Sequence, residues 1–490
     1  MTASVSDVAA ALPQADVRGD DATLVDATHD SRQVGPGWLF CAIRGSRADG
    51  HDHAPLALEQ GAGAVLVDHW LDLPVAQILV PDVRAAAGPA AAAVHAHPSH
   101  DLQVIGVTGT NGKTTTVYLL EAAFAAAGMG TGVIGTVETR IHGEAQPGVR
   151  TTPEGPDLQR LLRRMYDRGA DAVAMEVSSH GLDMHRVDGT RFAVGVWTNL
   201  SQDHLDWHGT MEAYFAAKAR LFTPTFTDHG VVFLDGPWGR RLLEVAEVDT
   251  TTVGRDADAD VRVVDEHADV TGSRARLVGD GLDLPIATGF PGRFNLSNAA
   301  TAVVAAITAG IPSEVAAKGV AACPGAPGRL ERVDAGQPFT VLVDYAHTPD
   351  AIEQVLTTVR DLLEPGHRVV VVLGAGGDRD RAKRGPMGAA AALADVAVLT
   401  SDNPRTEDPH AILDAVLAGA REAVAAGAPA EVDVEPDRRD AIRRALEVAR
   451  DGDVVVIAGK GHETGQEFAD RTVPFDDRVV ARELLQAGVA

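Results

Sequence analysis

The segment Val104-Ile-Gly-Val-Thr-Gly-Thr-Asn-Gly-Lys-Thr-Thr-Thr116 holds the residue types that grip a polyphosphate. Gly109, Thr110, Asn111 and Gly112 leave backbone N–H groups open to phosphate oxygens, Lys113 can reach the terminal phosphates, and Thr114 or Thr115 offers a hydroxyl to Mg²⁺. ATP is therefore the first ligand this chain suggests. The general phosphate-loop pattern carries glycine five residues before Gly112; here that position is Val107, with glycines at Gly106 and Gly109 instead. Two polar clusters follow. Glu176 precedes Ser178-Ser-His-Gly181, and Asn199, Asp203, His204, Asp206 and His208 come after Val194-Gly-Val-Trp197. A hard cation prefers oxygen donors and tolerates an imidazole, so Thr115 and Glu176 suit one Mg²⁺ and His204 a second. One histidine after a strand commonly just caps a turn; two clusters behind two consecutive apolar runs argue for a site.

These groups need elements that hold them at one edge. Val104–Val107 reads as a buried strand, and the stretch from Thr115 to Gly128 has strong helix formers, helical apolar spacing and a closing glycine, which points the positive helix end at the phosphates. The runs Ala172-Val-Ala-Met-Glu-Val177, Phe192-Ala-Val-Gly-Val-Trp197 and Gly230-Val-Val-Phe-Leu234 are nearly continuous in apolar residues, as strands of a parallel sheet covered on both faces are. Beyond the Pro- and Gly-dense Cys323–Arg329 segment come Phe339–Asp344, Arg368–Leu373, Val396–Leu399 and Asp453–Ala458, separated by alanine-rich helical stretches. The chain is thus expected to be α/β with three domains: a small N-terminal α/β domain over 1–97, a central P-loop ATPase-type parallel sheet over 98–332, and a C-terminal Rossmann-like domain over 333–490. An open parallel sheet binds ligands at the carboxyl ends of its strands, where the polar clusters fall.

Composition narrows the partners. The formal charge of −26 argues against nucleic acid, which demands a basic face. Cys41 and Cys323 are the only cysteines and have no metal-type spacing, so they read as core residues of a protein kept reduced. The N-terminus lacks a basic region followed by an apolar run, and no uninterrupted apolar stretch of membrane-spanning length occurs. A cytoplasmic monomer acting on small molecules, without membrane or nucleic-acid partners, is the expectation.

Taken together, Thr108-Gly-Thr-Asn-Gly-Lys-Thr-Thr115, Glu176-Val-Ser-Ser-His-Gly181, Thr198-Asn-Leu-Ser-Gln-Asp-His-Leu-Asp206, Phe294-Asn-Leu-Ser-Asn-Ala299 and Val343-Asp-Tyr-Ala-His-Thr-Pro349 resemble the Mur ligases, ATP-dependent amino-acid ligases of peptidoglycan precursor synthesis. Asp402-Asn-Pro-Arg405, Gly459-Lys-Gly-His-Glu463 and the basic run Gly377–Arg384 resemble the MurE type in its meso-diaminopimelate-adding form. The resemblance implies that UDP-N-acetylmuramoyl-L-Ala-D-Glu, meso-diaminopimelate and ATP give the UDP-linked tripeptide, ADP and phosphate through an acyl phosphate. It implies catalytic roles for Lys113, Glu176, His204 and Lys218, the last as a carbamate that joins Thr115, Glu176 and His204 around metal. Asn298, Arg329 and Asp344 correspond to contacts with the adenine, phosphate and ribose. Ser31, Ser46, Arg47, Ala48, Thr151, Thr152, Ser178, Met184 and Arg186 correspond to the UDP-muramoyl-dipeptide site, although Ser46 and Arg47 replace an expected histidine and glutamine and Met184 stands where glutamine is common. Arg384, Asp402, Asn403, Pro404, Arg405, Gly459 and Glu463 correspond to the diaminopimelate pocket: a zwitterionic side-chain end needs an arginine fork for its carboxylate and a carboxylate for its ammonium. Alone, Asp402–Arg405 is equally an ordinary Asx-Pro turn. The same core could add L-lysine or another diamine, serve a folylpolyglutamate-synthase-like ligase, or belong to a P-loop regulatory ATPase, which leaves the clusters at Glu176, His204 and Arg384 without a purpose.

Overall fold

The computed structural model describes residues 2–45, 48–148, 150–279 and 281–489. Its largest sheet is organised by Gln103–Thr108, which runs parallel between Ala172–Glu176 and Phe192–Trp197. Register places Glu176 opposite Val107 and Trp197 opposite Thr108, so the segments leaving all three strands emerge at one edge. Thr131–Ile134 lies outside Ala172–Glu176, while Thr227–Phe233 and Thr250–Gly254 extend the other flank, all parallel. Every residue of Ala172–Glu176 is buried, as is all of Gln103–Thr108 except its first. That follows from covering both faces with helices, which removes the polar alternation of a half-exposed strand.

Three strands that sequence inspection does not single out, Val261–Asp269, Gly272–Gly279 and Leu282–Thr288, close the order of this sheet. Buried and exposed positions largely alternate along them, and charged residues such as Arg262, Arg274 and Asp283 stand on their open face. With only one covered face, no apolar run is needed and none announces them.

The N-terminal sheet has five strands, with Ala76–Leu79, Ala64–Val67, Trp38–Cys41 and Asp26–Thr28 in parallel succession and Asp16–Arg18 antiparallel at the edge. It is tied to the central helix Gly155–Asp167 by Arg160, whose Nε donates to both Asp26 carboxylate oxygens at 2.8 Å and whose guanidinium stacks over Trp38.

The C-terminal sheet has six strands in the order Glu331–Val333, Thr340–Asp344, Val454–Ala458, Val369–Ala375, Val396–Ser401 and Glu431–Val434, all parallel except the first. The last-made long strand therefore sits in the middle, and the loops after Asp344, Ala375, Ser401 and Ala458 share one edge. Beneath them lies the fully buried Arg438. It pairs with Asp477 through two hydrogen bonds of 2.8 and 2.6 Å and donates to the carbonyl of Ala458 at 3.0 Å. A buried charge is tolerable only when matched in this way. The chain divides into two compact units, one of Met1–Val264 with Arg276–Ile286 and Ser297–Cys323, the other of Asp265–Ala275 with Ala287–Leu296 and Pro324–Ala490.

Candidate active site

The loop after Gln103–Thr108 turns into the helix Lys113–Ala126, with Gly112 as its N-cap. Gly109 (φ +145°) and Gly112 (φ +85°) occupy backbone conformations that disfavour side chains, and a Cβ would collide with Thr198 Oγ1 at the first and Asn298 Oδ1 at the second. Glycine is thus required twice in four residues. Lys113 Nζ folds back to donate to the carbonyls of Gly109 (3.0 Å) and Thr110 (2.8 Å). Across the loop, Thr198 Oγ1 donates to the Asn111 carbonyl (2.7 Å), Asn199 Oδ1 accepts from the Asn111 amide (3.0 Å), and Thr110 Oγ1 lies 3.1 Å from the Tyr214 phenolic Oη.

Glu176, almost wholly buried, is the meeting point of the neighbouring strands. Its Oε1 accepts from Thr114 Oγ1 (3.0 Å) and the Thr136 amide (2.8 Å), and its Oε2 from Thr136 Oγ1 (3.1 Å). Thr114, not Thr115, is therefore the helix-start hydroxyl that reaches Glu176; the Thr115 side chain is buried one position further into the helix. Thr136 and Thr151 share a hydroxyl contact of 3.0 Å, Thr152 Oγ1 donates to the Glu176 carbonyl (3.0 Å) and lies 3.1 Å from Ser178 Oγ, and Arg186 NH1 donates to the Thr152 carbonyl (3.3 Å). Arg186 NH2 also lies 3.4 Å from Met184 Sδ. Thr151 is in this way linked through Thr136 to the Glu176 carboxylate, and Thr152, Ser178 and Arg186 to its backbone carbonyl.

On the far side of the phosphate loop, His204 stands in a left-handed conformation (φ +53°), its ring edge-on to His180 at 4.9 Å. Desolvation holds the His204 imidazole below its usual range against the opposing pull of Asp203, with Lys113 adding repulsion, so the neutral ring keeps a lone pair to offer. Lys218, fully buried on the helix Met211–Ala219, donates to the Gly109 carbonyl at 2.7 Å and sits over the Tyr214 ring. Burial, reinforced by the charge of Lys113, pushes its amine well below the normal lysine range.

In the C-terminal sheet, Asp402, Asn403 and Lys460 are buried together. Lys460 Nζ donates to Asn403 Oδ1 (2.9 Å), Glu463 Oε2 (3.0 Å) and Asp402 Oδ1 (3.4 Å), and Asn403 Nδ2 donates to Glu463 Oε2 (2.8 Å). Gly459 (φ +109°) donates its amide to the Asp344 carbonyl at 3.1 Å. Arg384 forms a two-bond pair with Glu407 (2.8 and 3.2 Å), and that guanidinium holds the Glu407 carboxyl down to about 2. Arg405 Nε donates to Glu467 (2.6 Å) and its NH1 to the Gly377 carbonyl (2.8 Å). Asp344 Oδ2 and Oδ1 accept the amides of Leu330 and Ala346, both at 2.8 Å, and burial raises this carboxyl despite the nearby Arg329.

Three family models match in succession: "Mur ligase family, catalytic domain" over residues 27–106, "Mur ligase middle domain" over 107–306 and "Mur ligase, glutamate ligase domain" over 328–461. The chain belongs to the Mur ligase family. A protein of Streptomyces avermitilis named UDP-N-acetylmuramoyl-L-alanyl-D-glutamate--2,6-diaminopimelate ligase is 49% identical over 477 residues, spanning 95% of this chain and 93% of its own. A ligase of the same name from Streptomyces coelicolor is 48% identical over 476 residues, with the same coverage of 95% and 93%. A solved structure bearing that name aligns over 100% of both chains with a TM-score of 0.74 at 32% identity. Three α/β domains of the Mur ligase kind are accordingly the architecture of this chain.

Against this Mur ligase background, the remaining expected residues can be located. Ser31 lies just beyond Asp26–Thr28 and Ala48 beyond the adjacent parallel strand Trp38–Cys41, hence at one edge of the N-terminal sheet; Ser46 and Arg47 lie outside the described residues. Asn298 faces the phosphate loop beside Gly112. Pro404 precedes Arg405, which takes a left-handed conformation (φ +52°). Sequence reasoning passed over Thr136, Glu407 and Lys460. Lys460 stood inside a quoted motif, but nothing in its type or spacing said that its ammonium turns inward.

Proposed function

We propose that this chain adds meso-diaminopimelate to UDP-N-acetylmuramoyl-L-Ala-D-Glu with consumption of ATP, in peptidoglycan precursor synthesis. The observation that carries the reading is the arrangement around Glu176: a phosphate-loop hydroxyl from Thr114 and the cluster of Thr151, Thr152, Ser178 and Arg186 are linked through one carboxylate and its backbone. A reaction between a nucleotide and an acceptor carboxylate requires such a junction. The names of the near full-length relatives, together with Asp402-Asn-Pro-Arg405, support diaminopimelate as the amine.

In the reaction, an oxygen of the acceptor carboxylate attacks the γ-phosphorus and ADP leaves. The amine, having lost a proton, then attacks the acyl carbon and phosphate departs. Lys113 and the helix N-terminus beyond Gly112 offset negative charge on the transferring group, and no side-chain nucleophile is needed. The donor set fits Mg²⁺: Glu176 and Thr114 bring hard oxygens together, and His204 is a neutral imidazole. When bound, Mg²⁺ supplies positive charge to the phosphoryl oxygens. Asn298, Arg329 and Asp344 are proposed for the nucleoside and phosphates, Ser31 and Ala48 for the UDP end, and Arg384, Asp402, Asn403, Pro404, Arg405, Gly459 and Glu463 for the amino acid. Functional boundaries near 97 and 332 are part of the proposal, as is a monomer working in the cytoplasm. Both cysteines are buried thiols, that of Cys323 donating to the Tyr118 carbonyl, and no described helix is long and apolar enough to cross a membrane.

Phosphate release should require both the UDP-muramoyl-dipeptide and meso-diaminopimelate when amino acids are offered singly. Release that is indifferent to the dipeptide would end this reading.

Lys218 is expected to be a carbamate in the active enzyme. Lowering the amine favours its uncharged form, which attacks CO₂ and loses a proton to give N–COO⁻, and the product's oxygens suit Mg²⁺ where an ammonium would repel it. Lys218→Ala should lose most activity and regain part of it with short carboxylic acids. A carbamate carbon should appear in ¹³C NMR under labelled CO₂; fully active protein with no such signal would refute the modification.

A further inference from the structure

We infer that Lys460 is a positioning residue of the amino-acid pocket, fixing Asn403 and Glu463 for an incoming zwitterion while making no contact with it. This rests on the proposed function and deepens it. Lys460 is fully buried, and an ammonium has three N–H donors and no acceptor. All three directions are used: Asn403 Oδ1 at 2.9 Å, Glu463 Oε2 at 3.0 Å and Asp402 Oδ1 at 3.4 Å. No donor is left over for a ligand.

What the lysine fixes is the direction of its partners. Asn403 Oδ1 accepts from Lys460 and from the Glu467 amide (3.0 Å), so the amide nitrogen is forced to the other side, where it donates to Glu463 Oε2 at 2.8 Å. Glu463 thereby takes both donors on Oε2, and its side chain is 31% exposed, so that its carboxylate is open to an incoming ammonium. Asp402 is held from its backbone, its carbonyl accepting from Gln466 Nε2 at 2.8 Å. The ammonium also bridges two carboxylates, those of Asp402 and Glu463, and offsets their mutual repulsion. Arg438, whose field reaches Asp402 and Glu463, is already matched by Asp477. Lys383 acts on Asp402 only through its charge, its own Nζ donating to the His347 carbonyl. Neither cation can replace Lys460 between Asn403 and Glu463.

The test compares steady-state constants of the full-length enzyme and the variants Lys460→Met and Lys460→Gln, for each substrate, alongside thermal melts. Loss of a charged hydrogen-bonding partner predicts that the KM for meso-diaminopimelate rises roughly 10- to 100-fold in Lys460→Met, while the KM values for ATP and the UDP-dipeptide move less than about threefold. Lys460→Gln keeps a donor without the charge and should fall between Lys460→Met and wild type; if Lys460→Met does not fold, this variant decides. An unchanged KM for the amino acid would overturn the inference, and so would a parallel loss for all three substrates in step with melting temperature, which marks a purely structural lysine. A wild-type enzyme that ignores meso-diaminopimelate while using another amino acid would overturn the functional reading, and the inference would then be judged on the KM of that amino acid.

Discussion

Replacing Lys113 with alanine is expected to lower ligation by about 10³-fold or more while leaving the fold in place. The side chain is partly exposed at the start of a helix, and its ammonium donates to the Gly109 and Thr110 carbonyls of its own loop. Loop shape is set by Gly109 and Gly112, so the substitution removes charge stabilisation of the transferring phosphoryl group and little packing; a stability change within about 1 kcal/mol fits a site of this kind. Because Lys113 also helps to depress the Lys218 amine, its loss should make Lys218 more basic and reduce carbamate occupancy. Single-turnover phosphate release and a melting curve measure both halves of the expectation. Near-normal turnover in Lys113→Ala would mean that the loop does not hold the nucleotide.

Arg405→Ala should depress kcat/KM for meso-diaminopimelate by roughly 10² to 10⁴ and narrow the gap to L-lysine, with ATP affinity little affected. The far end of meso-diaminopimelate bears a carboxylate that L-lysine lacks, and a site shaped to pair that charge leaves cationic groups unmatched when the analogue binds. In the structure Arg405 is held by Glu467 and the Gly377 carbonyl, and Arg384 by Glu407. Arg384 Nε is a buried donor with no hydrogen-bond partner among the described residues. Arg405 also braces its loop, and a melting curve should accompany the kinetics. Equal use of L-lysine and meso-diaminopimelate by the wild-type protein would defeat the specificity assignment and leave the ligase assignment standing.

The phosphate loop was legible because glycine, lysine and threonine at that spacing have few other uses, and Glu176 because a carboxylate closing an apolar run must have a reason to be there. Which threonine meets Glu176 was not legible. That depends on how the first helical turn rotates about its axis, and two consecutive threonines look alike in sequence. The strands from Val261 to Thr288 escaped notice because a half-covered strand alternates covered with open positions, several of them charged, and so shows no continuous apolar run. Glu407 and Lys460 escaped for another reason: their meaning lies in partners such as Arg384 and Asn403, distant in sequence, which only strand order brings alongside.

The placement of Val454–Ala458 between Thr340–Asp344 and Val369–Ala375 has a consequence for biogenesis. On the ribosome, the flanking strands emerge long before the strand that joins them, and each waits with an unpaired hydrogen-bonding edge. The C-terminal sheet can close only after nearly the whole polypeptide has been made, so the central phosphate-loop region is complete while this region is still a nascent chain vulnerable to edge pairing with its neighbours. Premature termination between Asp402 and Val454 leaves a protein that retains the nucleotide loop yet lacks Lys460 and has no continuous sheet on which to present Asp402.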